Sequence, residues 1–129
     1  MFPLILNTKI CGTMNKYFFN FENAPCCYWS DVLKASYLQR QIIVHSILYY
    51  ELSESVIQDF QFDSICKQLL MFQKKLGNDY EKTDYYKYFY DFKGETGYYL
   101  YDRLNKYDKN YLTKIAKFVL RNYKRGGIS

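Results

Sequence analysis

Tyr37-Leu-Gln-Arg-Gln-Ile-Ile-Val-His45-Ser-Ile-Leu-Tyr49-Tyr50-Glu-Leu-Ser-Glu-Ser-Val-Ile57-Gln-Asp59-Phe-Gln-Phe62-Asp63-Ser-Ile-Cys-Lys-Gln-Leu69 is the stretch on which the fold turns. Its first half continues an apolar pattern opened by Ser30, which sits where a helix N-cap belongs, with Asp31 in the first turn to complement the helix dipole. No Gly or Pro comes between Asp31 and Tyr50, so the pattern predicts a helix over about that span. Leu33, Tyr37, Leu38, Ile42, Ile43, Val44, Ile47 and Leu48 cover most of its circumference, which requires packing on more than one side. Serines and acids from Glu51 to Gln58 break the pattern. Asp59 is a natural N-cap for a second helix ending near Gly77-Asn78, with Phe62, Ile65, Cys66, Leu69 and Leu76 on one face. Two helices joined by roughly eight residues make a helical hairpin.

Further along the chain, Tyr85-Tyr86-Lys87-Tyr88-Phe89-Tyr90-Asp91-Phe92 permits strand or loop, and Gly94-Glu95-Thr96-Gly97 is a turn. Thr96 can cap a short helix through Leu100 and Leu104, and Asp108 a last one reaching about Lys124 before Gly126-Gly127. On that last helix Leu112, Ile115 and Val119 point inward. Lys114, Lys117, Arg121 and Lys124 recur on the other side, as a solvated face or as a surface for phosphate or a partner. Residues 1–29 lack periodicity and read as an irregular arm, in which Met14 could be the natural start. The expected architecture is therefore all-α: an irregular N-terminal arm, then one helical domain over 30–125 built from the hairpin and the C-terminal helices.

A chain of 129 residues suits one domain and is too short for a multi-domain enzyme. With 49% hydrophobic and 24% charged residues it is no disordered polymer. Its 16 Tyr and 10 Phe can supply wide contact surfaces, and an AT-rich coding sequence would enrich the same residues. A net charge of +5 permits a nucleotide, nucleic acid or acidic protein as partner without choosing among them. Cys11, Cys26, Cys27 and Cys66 include no C-x-x-C pair and the chain has one histidine, so no zinc site and a reduced, cytoplasmic setting are expected. Met1-Phe2-Pro3-Leu4-Ile5-Leu6 lacks the basic flank and cleavage site of a signal peptide, and nothing is apolar enough to span a membrane.

The hairpin stretch also carries chemistry. It sets Tyr49 and Tyr50 at the end of one helix and two carboxylates, Asp59 and Asp63, one turn apart at the start of the next. If the loop folds back, rings and acids share a site suited to a flat, positively charged aromatic ring: tyrosine faces attract cations, and carboxylates accept from amide or hydroxyl donors. The residues alone favour a plainer arrangement, with Tyr49 and Tyr50 in the core, Asp59 a cap and Asp63 a first-turn acid.

His45-x-x-x-Tyr49-Tyr50 and Ile57-x-Asp59-x-x-Phe62-Asp63 resemble, without a gap, the small N-terminal domain of NAD-dependent DNA ligases. There a helix ending His-x-x-x-Tyr-Tyr precedes a loop and then Ile-x-Asp-x-x-Tyr-Asp. The likeness covers about residues 37–75. It implies a domain that holds the nicotinamide mononucleotide half of NAD, with Tyr49 and Tyr50 stacked on the nicotinamide ring. Asp59 and Asp63 would accept from ribose hydroxyls or the carboxamide, and His45 would serve packing and loop support. Phe62 stands where the family has Tyr, which keeps the ring and loses its hydroxyl. The family's catalytic Lys-x-Asp-Gly is missing: Lys82-Thr83-Asp84-Tyr85 lacks the glycine and lies too near the motif.

These readings imply a stand-alone, non-catalytic module binding NAD or nicotinamide mononucleotide, of the kind a phage or mobile element would carry as an accessory protein. The alternative is a protein-protein inhibitor or adaptor, for example an anti-defence protein blocking a host nuclease, that uses the hairpin as scaffold and its tyrosines and basic last helix as the contact surface. Direct nucleic-acid binding through Lys114, Lys117, Arg121 and Lys124 is a weaker third.

Overall fold

The computed structural model describes residues 28–94 and 99–126, and among them there is no strand: the fold is all-α. Helix α1 spans Asp31–Ser46 and passes without a break into a π-helical turn, Ile47–Glu51. After the loop 52–58 comes α2, Asp59–Leu76, followed by a 3₁₀ turn at Gly77–Lys82 and three further helices: α3 (Tyr86–Phe89), α4 (Leu100–Arg103) and α5 (Lys106–Gly126). The irregular arm expected over 1–29 lies almost wholly outside the described residues, as do the turn residues Glu95-Thr96-Gly97 and the cap expected at Thr96.

Ser30 caps α1 as its sequence position demands, its Oγ accepting the Leu33 N–H at 3.1 Å. Leu38, Ile42, Ile43, Ile47 and Leu48 are buried around α1, because the helix packs on α2 along one side and on α4, α5 and the 3₁₀ turn along others. Each such side chain contributes about 1.5–3 kcal/mol on burial, so α1 is the axis of the core. Ile65, Cys66 and Leu69 of α2 and Leu112, Ala116 and Val119 of α5 close on it. The hairpin is antiparallel, with Lys75 near the end of α2 3.3 Å from Asp31 at the start of α1.

Three sequence expectations need correction. First, α-helix does not run to Tyr50. Leu52 N–H reaches back to the Ile47 carbonyl at 3.1 Å, an i→i−5 bond, and Glu54 N–H to the Leu48 carbonyl at 2.8 Å. Second, Asp59 is not the N-cap of α2. Gln58 holds the extended backbone before the helix, with φ −86° and ψ 161°, and its N–H is taken by Gln61 Oε1 at 2.9 Å, half of a capping box. Third, Asp108 does not cap α5. Asn105 does: its carbonyl accepts from Lys109 N–H at 2.9 Å and its Oδ1 from Asp108 N–H at 2.8 Å. Asp108 is drawn instead to the Tyr88 hydroxyl, which donates to it at 2.6 Å.

The tyrosine-rich segment, whose pattern permits strand or loop, is held to α1 by polar side chains that the apolar periodicity hides. Gln39, fully buried, donates from Nε2 to Thr83 Oγ1 at 2.8 Å and accepts from Tyr85 N–H at 3.0 Å. Ser36 Oγ accepts from Asp84 N–H at 3.0 Å. With these backbone donors met from α1, the segment needs no sheet partner, and Tyr88, Phe89 and Phe92 drop into the core. No helix among the described residues is long and apolar enough to cross a membrane.

Candidate functional site

The tyrosine pair stands in the π turn, directly after residues 41–48, all of which are buried. Tyr49 is 57% and Tyr50 41% exposed, so neither is a core residue. Their rings meet edge to face, centroids 4.8 Å apart at 89°. A planar ligand can therefore lie flat on one ring and meet the other edge-on, rather than stack on both.

The loop then turns back sharply. Ser53 takes a left-handed φ of 55°, uncommon for a side chain with a Cβ, and Ser55 Oγ donates to the Ile57 carbonyl at 2.6 Å. Val56 and Ile57 are buried beneath, which anchors the loop that leads into α2 at Asp59. The result is a cavity of about 330 Å³, near the lower end of the ~300–1,000 Å³ that ligand pockets occupy.

All five residues expected at a nicotinamide site, Tyr49, Tyr50, Asp59, Phe62 and Asp63, line this one cavity. Asp59 and Asp63 are exposed, one turn apart on α2, and Phe62 is half-buried between them along the helix. His45, expected to serve packing, is buried and also borders the cavity. So do Ser46 and Gln58, to which no sequence motif pointed. Ser46 is 3% exposed, and its Oγ, closed off from solvent, has no hydrogen-bond partner among the described residues. The signal that could have found Ser46 is its place beside His45, four residues before Tyr50.

The basic residues of α5 are not part of this cavity. Lys114, Lys117 and Arg121 are exposed and form no ion pair among the described residues. Lys124 reaches the pocket loop, where its Nζ lies 3.2 Å from Glu54 Oε2.

A second polar cluster, around Tyr88 and Arg103, is satisfied internally. Arg103 forks onto Asp91 with two 2.9 Å bonds and donates to the Tyr88 carbonyl at 3.2 Å, while Tyr99 and Tyr90 lie against its guanidinium. Hydrogen bonds from Arg103 hold the Asp91 carboxyl below its ordinary range. Lys82-Thr83-Asp84-Tyr85 is likewise structural: Lys82 pairs with Asp79 at 3.2 Å, and the Thr83 hydroxyl donates to the Tyr80 carbonyl at 2.7 Å. Compared with protein-family models, with curated proteins and with solved structures, the chain matches none.

Proposed function

We propose that this chain is a non-catalytic binding module for the nicotinamide half of NAD or nicotinamide mononucleotide. One observation carries the reading: Tyr49, Tyr50, Asp59, Phe62 and Asp63, the residues that the resemblance assigns to that ligand, line a single cavity. A pyridinium ring laid on one tyrosine face gains cation–π attraction. Asp59 and Asp63 accept from ribose hydroxyls, and the exposed Gln58 is a polar partner for the carboxamide. Such a module would sense or sequester the ligand, or present it to a separately encoded adenylating enzyme, in the cytoplasm of a cell carrying a phage or mobile element.

Calorimetric titration with NAD and nicotinamide mononucleotide tests this. Saturable binding weakened at least about tenfold in both Tyr50→Ala and Asp59→Ala, and kept in Lys117→Glu/Arg121→Glu, is the expected result. No heat with any nicotinamide ligand at millimolar concentration would sink the reading.

A second reading, an adaptor or inhibitor that grips an acidic protein, is favoured by the outer face of α5. Tyr107, Tyr111 and Phe118 are 74%, 42% and 52% exposed and fall in line with Lys114 and Arg121 at helical spacing. In that case the α5 charge reversals abolish partner capture and the pocket variants do not.

A further inference from the structure

We infer that the cavity selects the phosphate-free, cationic form of its ligand, nicotinamide riboside, over the same compound carrying a phosphate. The inference rests on the proposed nicotinamide reading and adds the charge of the ligand to it.

In a chain of net charge +5, the segment that builds the cavity is locally acidic. Residues 41–66 contain Glu51, Glu54, Asp59 and Asp63 and no lysine or arginine. Asp59 and Asp63 line the cavity, and no lysine or arginine does so among the described residues. Lys124 is the cation that reaches the loop, and Glu54 engages it at 3.2 Å.

One feature of the site favours an anion, the N-terminus of α2, whose backbone donors and dipole attract phosphate. Here one of those donors is already engaged. Gln61 takes the Gln58 N–H at 2.9 Å, and Asp59 and Asp63 place their own carboxylates on the first turns. A phosphate brought there meets two like charges and no lysine or arginine, whereas a pyridinium meets two carboxylates and two tyrosine rings. Ser55 and Gln58, which also line the cavity, are neutral and do not discriminate charge.

The test is a titration of the full chain with nicotinamide riboside and with nicotinamide mononucleotide at about 0.01 M ionic strength, where screening is weak. The riboside is expected to bind at least about tenfold more tightly. In Asp59→Asn/Asp63→Asn, whose sites are exposed, the ratio is expected to fall to about twofold or less; circular dichroism checks that the variant is folded. Raising salt toward about 1 M should narrow the wild-type ratio in the same direction, without any mutation. Mononucleotide binding as tight as the riboside, or tighter, overturns the inference and leaves the nicotinamide reading standing. Absence of binding by either compound at millimolar concentration overturns both.

Discussion

Lys124 Nζ stands 3.2 Å from Glu54 Oε2, so the last helix of the chain is fastened to the loop that carries Val56, Ile57 and Asp59 into the cavity. The two side chains are 60% and 38% exposed, which keeps the pair in well-screened surroundings. A double-mutant cycle on Lys124→Ala and Glu54→Ala should therefore give a coupling below about 1 kcal/mol in urea denaturation. Its effect is local: amide hydrogen exchange over 52–57 should quicken in Lys124→Ala while the core of α1 is unchanged. Unchanged loop exchange would show that buried Val56 and Ile57 hold the loop without help from α5.

Phe62 lines the cavity with a ring and no hydroxyl. Phe62→Tyr restores a donor and acceptor at a half-buried position beside Asp59 and Asp63, and should tighten nicotinamide binding several-fold, a gain of about 1 kcal/mol for one new hydrogen bond. Weaker binding in this variant would mean that the ring edge is packed too closely to accept an oxygen.

Gln39 joins α1 to the tyrosine-rich segment through its bonds to Thr83 and Tyr85. Gln39→Leu keeps the volume and leaves the Tyr85 N–H without its acceptor. The expected loss is about 2 kcal/mol of unfolding free energy with an unchanged denaturant slope. A neutral result would show that the segment is held by its apolar side chains alone.

Tyr80 is buried, and its hydroxyl donates to the Phe89 carbonyl at 3.1 Å. Burial, above all, pushes its phenol from the ordinary value near 10 up to about 12. The folded state thus holds this proton more firmly than the unfolded chain. The resulting stability is fully present below pH 10 and is lost as pH rises toward 12. Chemical denaturation across that window should show the decline, and Tyr80→Phe, less stable by about 1 kcal/mol at neutral pH, should flatten it. An equal slope in both proteins would assign the alkaline loss to other groups, such as Tyr37, which burial also shifts upward.

The hairpin was legible because its signals are local. A serine before an acid starts α1, and apolar residues at helical spacing along its 16 residues leave little choice of structure. The five cavity residues were legible only through the likeness of His45-x-x-x-Tyr49-Tyr50 and Ile57-x-Asp59-x-x-Phe62-Asp63 to a known motif, since their types and spacing alone left Tyr49 and Tyr50 free to sit in the core. The expected cap at Asp59 missed by one residue, because Gln58 and Gln61 satisfy the helix start between themselves. The segment 79–92 was not legible, since its dense tyrosines suit strand or loop equally until Gln39 and Ser36 supply their bonds from more than forty positions away.

The helical class, the hairpin and the residue types at its junction were already determined along the chain, because periodicity, capping and the charge of residues 41–66 are properties of neighbours in sequence. Packing between elements decided that α1 ends in a π turn, that Tyr49 and Tyr50 leave the core at right angles to each other, and that Lys124 answers Glu54. Those outcomes depend on what α2 and α5 bring against α1. A helix surrounded on several sides must place its last turn where the packing allows, and no pattern within one segment encodes that space.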